Sequence, residues 1–257
     1  MVQTRQLDYP TSIRFLGRLA ECDRWDLELS IKKHQLVATD DAGAQAFTFR
    51  LPLVCPTIVQ REYQSQSAES VLLPQVRAES LESYLTRLQP VPRPYLVVLI
   101  QAGHAALGYY ERDQLLKHKV VRKYMVRKKQ GKAQITYLHR KGKSRAGSRI
   151  RLANTVAFFN EINACLGSWP HASAERVLFS CSARMWGLLH GAKIPPPFAK
   201  DDPRLAKVPK SVRTPNFKEL QAINYFIRQG QLAFADGNGS PLEALLGEAD
   251  GLERPAD

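Results

Sequence analysis

Hydrophobic and polar positions alternate in the first part of the chain. Trp25, Leu27, Leu29 and Ile31 are interleaved with Asp26, Glu28 and Ser30, the period of a strand with one face buried. After the turn-like Asp40-Asp41-Ala42-Gly43, Phe47, Phe49 and Leu51 repeat the alternation, so residues 1–63 read as a small β-rich unit. Residues 64–75 are polar and loop-like. Leu81, Tyr84, Leu85 and Leu88 then fall at helical spacing, and Pro90, Pro92 and Pro94 stop that helix and stiffen a connector.

From Tyr95 the pattern changes. Tyr95-Leu-Val-Val-Leu-Ile100 is a continuous apolar run, which predicts a central strand buried on both faces. Gly103-His104 suits a tight turn, Ala105–Tyr110 a returning strand, Arg112-Asp113 a second turn, and Gln114–Val126 a long third strand. Residues 127–147 follow as a loop rich in Lys, Arg, Gly and Ser. A helix is expected from about Ser148, with Leu152, Val156, Phe159, Ile162 and Leu166 forming one apolar stripe against the sheet. Arg176–Ser180 reads as another buried strand, Ala183–His190 as a short helix, and Phe217–Arg228 as an amphipathic helix built on Phe217, Leu220, Ile223 and Ile227.

The fold class is therefore α/β, with a mixed sheet in which an antiparallel three-strand meander is followed by helix–strand units. That order is compatible with a ribonuclease-H-like layout. Residues 1–94 form the β-rich unit with its helix and connector, and 95–229 the larger α/β unit. Residues 230–257 carry six acidic residues and one Arg, and read as a flexible tail apart from a turn at Ser240–Leu246.

Composition adds little until charge is placed along the chain. At 44% hydrophobic and 24% charged, the balance is ordinary for a globular protein. No apolar stretch approaches the roughly 18 residues of a membrane span, and the first ten residues have no apolar core of a secretory signal. Cys22, Cys55, Cys165 and Cys181 lie far apart with no Cys-x-x-Cys pair, which disfavours a zinc ribbon or a disulfide framework. A cytoplasmic protein with reduced thiols is expected. The net charge of +13, however, is concentrated. Between Lys117 and Arg151 stand 14 basic residues and no acidic one, whereas the rest of the chain has 23 basic and 24 acidic. A solvated helix face would interleave Glu with Lys. A field of one sign suits a polyanion.

Familiar catalytic motifs are absent: no G-x-S-x-G elbow, no H-E-x-x-H, no P-loop and no dinucleotide fingerprint. Histidines 34, 104, 118, 139, 171 and 190 have no ligand spacing. The strands expected at 95–102 and 117–126 hold no carboxylate, which disfavours two-metal phosphodiester cleavage. No metal or cofactor is expected.

What remains is the basic segment. Its strand ends in Arg122-Lys123-Tyr124-Met125-Val126-Arg127, followed by Lys128-Lys129-Gln130-Gly131 and a glutamine three residues on, Gln134. Downstream, Ser144-Arg-Ala-Gly-Ser148 leads into a helix with Arg149, Arg151 and Asn154. Further on come Asp202-Pro203-Arg204-Leu205, Pro209, Arg213, Pro215, Phe217 and Leu220. These three ordered motifs, over roughly residues 95–228, resemble the Vms-like release factors of ribosome quality control. That family is related to the catalytic middle domain of eukaryotic and archaeal peptide-release factors. The release factors proper carry Gly-Gly-Gln where this chain has Gly131-Lys132-Ala133-Gln134, so the loop has lost a glycine's freedom. No ankyrin period and no zinc-finger spacing is present.

The resemblance implies an enzyme that frees nascent chains from stalled large ribosomal subunits. It would either hydrolyse the peptidyl-tRNA ester or cut the tRNA near its 3′ CCA end. Its partners would be tRNA and ribosomal RNA, with no membrane or DNA, and the chain would be a monomer. Gln134, a poor base because it is neutral, would position the attacking water or ribose hydroxyl. Tyr124 and Arg127 would orient the loop or stabilise negative charge. Lys128, Lys129, Lys132, Arg140, Lys141, Lys143 and Arg145 suit phosphate contacts, with Gly131 allowing close backbone approach and Ser148 and Arg149 at a helix N-terminus. Plainer roles stand beside these. Gln134 is an ordinary loop residue on its own, Tyr124 a packing residue, Arg149 and Arg151 solvated, and Asp202-Pro203-Arg204 a turn. A non-catalytic RNA- or ribosome-binding module of the same fold fits the Lys132-Ala133 departure.

Overall fold

The computed structural model describes residues 2–63, 75–125, 146–235 and 239–250. Backbone contacts divide the chain into two units, residues 1–93 with 225–257, and residues 94–224.

The first unit begins with β1 (Val2–Leu7) and α1 (Tyr9–Ala20), followed by β2 (Asp26–Ser30), β3 (Gln35–Thr39) and β4 (Gln45–Arg50). The Asp8 side chain caps α1 by accepting from Thr11 N at 2.9 Å, and Pro10 occupies the first turn. Tyr9, Phe15, Leu16 and Leu19 give this helix a buried face that strand-period reading passes over. Phe15 meets Phe49 edge-on at 5.1 Å, and Trp25 meets Phe47 at 5.2 Å. The alternation from Trp25 holds through buried Leu29 and fails at Ile31, which is exposed beyond the strand end. A two-stranded ribbon, β5 (Gln60–Tyr63) with β6 (Gln75–Ala78), and the single-turn α2 (Leu81–Leu85) complete this half. Residues 64–74 of the expected loop lie outside the described residues, and Gln75 already belongs to β6.

The tail does not begin at residue 230. Gly230–Ala235 is β12, hydrogen-bonded between β1 and β4 in an antiparallel sheet of order β1-β12-β4-β3-β2. Its inward positions are Gly230, Leu232 and Phe234. A Cβ at Gly230 would stand 2.5 Å from Phe49 Cζ and 2.6 Å from Ser12 Oγ, so only glycine allows this strand to approach. The last helix, Gly239–Asp250, buries Leu242 and Leu246. Scattered leucines in an acidic stretch are a weak signal, and the sheet supplies what local pattern does not.

The second unit is built on β7 (Tyr95–Gln101), β8 (His104–Glu111) and β9 (Gln114–Arg122), an antiparallel meander. Gly103 (φ +81°) makes the first turn, and Arg112 and Asp113 (φ +47° and +66°) make the second. The third strand ends at Arg122 rather than Val126. Helix α3 (Ala146–Gly167) crosses back, β10 (Arg176–Ser180) pairs parallel to β7, and α4 (Ala183–His190) leads towards β11 (Leu205–Lys207), parallel to β10. The sheet order is β11-β10-β7-β8-β9 with β8 antiparallel to the rest, the ribonuclease-H-like arrangement expected. Helix α5 (Phe217–Ile227) buries Leu220, Ile223 and Ile227, while Phe217 is exposed.

The stripe expected on α3 is only partly realised. Phe158, Phe159, Ile162 and Leu166 join the core, but Leu152 is 68% exposed and Val156 43%. A 22-residue helix is about 33 Å long, longer than the strands beneath it. Asn154 already lies beside Tyr124, two residues past the end of β9, so the turns before it project beyond that strand.

Candidate nucleic-acid interface

The basic segment begins on β9, an edge strand of the second sheet. Alternation sets Val121 into the core under α3, while Lys117, His118, Lys119 and Arg122 are exposed. Past the strand, the chain is held at its stem by three contacts. Lys123 N donates to Gly103 O at 3.0 Å, Asn154 Nδ2 of α3 donates to Tyr124 O at 2.9 Å, and Lys123 Nζ pairs with Glu161 Oε2 at 3.0 Å. Lys119 Nζ reaches the other oxygen of Glu161 at 3.7 Å. A Cβ at Gly103 would lie 2.5 Å from Lys123 O, so the meander's first turn and the stem pack backbone to backbone. The outgoing strand and the returning helix are thus tied together on either side of residues 126–145.

Tyr124 is half exposed, so its ring is available at the surface and does not serve as a core residue. Ser148 and Arg149 lie in the first turn of α3, which starts at Ala146, and Arg149 and Arg151 are outside the core. Arg127, Lys128, Lys129, Gly131, Lys132, Gln134, Arg140, Lys141, Lys143 and Arg145 lie outside the described residues. Asp202 and Arg204 have the structural part that the turn reading expects. Arg204 Nη2 meets Asp202 Oδ2 at 2.7 Å, and Nη1 donates to His171 O and Ala174 O, both at 2.9 Å. The guanidinium holds the Asp202 carboxyl below its usual range by hydrogen bonding.

Glu161 and Gln101 are the residues that motif reading misses. Glu161 is the only Asp or Glu between Asp113 and Glu175, a lone acid in a basic stretch and in retrospect a visible signal. It pairs with Lys123 and Lys119 at the stem. Gln101, at the end of β7, donates through Nε2 to Val212 O at 2.8 Å, and nothing in its own sequence context marks it.

The thiols offer little as nucleophiles. Burial pushes Cys165 upward, with Lys119 only partly opposing, and pushes Cys181 up to about 11. All four cysteines are free. Among the described residues, no three His, Cys, Asp or Glu side chains group as metal ligands, and no helix is long and apolar enough to cross a membrane. The charge is divided as sharply by unit as along the chain. Residues 94–224 hold 24 Lys and Arg against 7 Asp and Glu, a balance of +17, and the other unit stands at −4.

Parts of the chain match known proteins. The chain is 33% identical over 155 residues to the tRNA endonuclease ANKZF1 of Mus musculus, and 32% identical over 151 residues to that of Homo sapiens. These matches take in 58% and 56% of this chain, which spans about one fifth (21%) of the length of each curated relative. A solved structure, the Vms1 mitochondrial localization core, aligns with 85% of this chain and 82% of its own length at a TM-score of 0.41 and 11% identity. The Bacteroidetes VLRF1 release factor family matches residues 95–233, more than half of the sequence. That span contains the meander, the basic segment with its stem contacts, and the closing motif through α5. The chain belongs to the Bacteroidetes VLRF1 release factor family.

Proposed function

We propose that this protein frees nascent chains from stalled large ribosomal subunits by acting on peptidyl-tRNA, and that Gln134 is its central catalytic residue. The observation that carries the reading is the run of 14 cations without an acid from Lys117 to Arg151, lying inside the family match. A tRNA 3′ end is a flexible polyanion, and such a segment would hold it through its phosphates while base identity goes unread. Gln134 would place a water on the ester, or a ribose hydroxyl on the adjoining phosphodiester. Tyr124 and Arg127 would orient the loop or meet developing negative charge. Lys128, Lys129, Lys132, Arg140, Lys141, Lys143 and Arg145 would supply phosphate contacts, with Gly131 letting the backbone close in, and Ser148 and Arg149 adding the helix N-terminus. The tRNA-cleaving alternative draws support from the ANKZF1 relatives, which are tRNA endonucleases. The protein would act in the cytoplasm, as a monomer.

The test uses peptidyl-tRNA stalled on large subunits, with peptide and RNA resolved on gels. Gln134→Ala should slow release about 10²–10³-fold, the worth of one positioned donor, while subunit binding is kept. A shortened tRNA identifies endonucleolytic cleavage, and an intact one identifies ester hydrolysis. Full single-turnover activity in Gln134→Ala removes Gln134 from the mechanism. The Lys132-Ala133 departure favours a second reading, a non-catalytic RNA- or ribosome-binding module, and a wild-type protein that binds but cleaves nothing decides for it.

A further inference from the structure

A second cationic element lies outside the basic segment. From Leu205 to Lys218 the chain has Lys207, Lys210, Arg213 and Lys218 and no acid, and all four are exposed. The backbone between them is pinned. Val208 N donates to Phe179 O at 2.9 Å, Val212 O accepts from Gln101 Nε2, and Arg213 N donates to Glu219 Oε1 at 2.8 Å. Asn216 Oδ1 accepts from Glu219 N at 2.8 Å, and the Phe217 ring rests 4.8 Å from His118 on β9.

Strand direction places this element. β7, β10 and β11 are parallel, so Gln101, Ser180 and Lys207 share one end of the sheet. The pairings Gln101–His104 and His104–Arg122 bring Arg122 and the stem of the basic segment to that end as well. The element therefore starts at the β11 edge and finishes against β9, the opposite edge. With strands about 4.8 Å apart, it spans roughly 19 Å, room for several successive phosphates. Its one aromatic ring, Phe217, is engaged with His118, so no stacking platform for unpaired bases is offered.

We infer that residues 207–218 form a second phosphate-binding element, which grips the backbone of an RNA duplex beside the strand end held by the basic segment. This rests on the reading of the protein as an RNA-directed release factor. The duplex phosphates come from a tRNA acceptor stem or from a ribosomal RNA helix, and the two sources are separable.

The full chain and a Lys210→Ala/Arg213→Ala/Lys218→Ala variant are titrated with three probes. These are an acceptor-stem minihelix ending in CCA, a short single-stranded RNA ending in CCA, and large subunits free of tRNA. The variant is expected to lose at least tenfold in affinity for the minihelix at low salt, with the log–log salt slope shallower by roughly two to three. The single strand should bind as before, and thermal melting should not move. A loss confined to the empty subunits assigns the duplex to ribosomal RNA. Unchanged binding of both duplex probes overturns the inference, as does an equal loss on the single strand. A Lys210→Arg/Lys218→Arg variant keeps the charges and should bind like wild type; if it too loses the duplex, phosphate attraction is not the cause. Cleavage of stalled peptidyl-tRNA by the wild type is scored separately, so the release reading can fail while the duplex-binding element stands.

Discussion

Two residues show how finely the second unit is fitted together, one at its stem and one away from it. Gly103 has φ +81° and no room for a methyl group beside Lys123 O. Gly103→Ala should lower stability by roughly 1–3 kcal/mol through strain in that turn, read by chemical denaturation, with release activity falling as the stem shifts. A variant as stable as wild type would show that the turn can yield. Asp202 acts at a distance from the stem, holding Arg204 for the carbonyls of His171 and Ala174. Because its carboxyl is depressed in the fold, its stabilisation is present above the ordinary carboxyl value near 3.9 and is lost as pH falls through the lowered folded value. Asp202→Ala should therefore destabilise by about 1–3 kcal/mol at neutral pH, and the gap from wild type should close in acid. A gap independent of pH would assign the loss to packing instead. Neither contact was legible in the sequence beyond a turn-forming Asp-Pro-Arg. Both depend on carbonyls supplied by other segments.

Elements were legible where pattern and burial coincide. The apolar run of β7 is buried along almost its whole length, and positive-φ turns fall where Gly103 and Arg112-Asp113 punctuate the meander. They failed where tertiary contacts decide. α1 hides its buried Ser12 among apolar positions, and β12 spends an inward position on Gly230 beneath Phe49. The basic segment announced itself by composition, but its counter-charge at Glu161 and its anchor at Asn154 came from a helix thirty or more residues on. β12 also makes a prediction. Ending the chain before Gly230 removes a strand paired on both sides and should abolish cooperative unfolding of the first unit, seen by circular dichroism and limited proteolysis. Ending it after Asp250 should leave the melt unchanged. A cooperative first unit without β12 would mean that β1 and β4 can close directly.

For the whole molecule, the charge division between units sets the response to salt. If about six phosphates are neutralised, binding to RNA or subunits should fall with a log–log slope of roughly −4 to −5, and a flat response would remove the polyanion reading. The arrangement of the first sheet has a consequence for synthesis as well as for stability. β1 is joined to the sheet through β12, Val2 opposite Ala235, so residues 2–7 wait for a strand more than 220 positions later in the sequence. Residues 94–224, by contrast, are complete in sequence before β12 is translated. Domains fold as units during synthesis, and contacts distant in sequence form late. The sheet of the second unit draws all five of its strands from residues 94–224, whereas β1 meets its sheet partner only when residues 230–235 follow. A chain that ends between Asn224 and Gly230 has the whole sequence of its second unit and lacks the strand that joins β1 to the first.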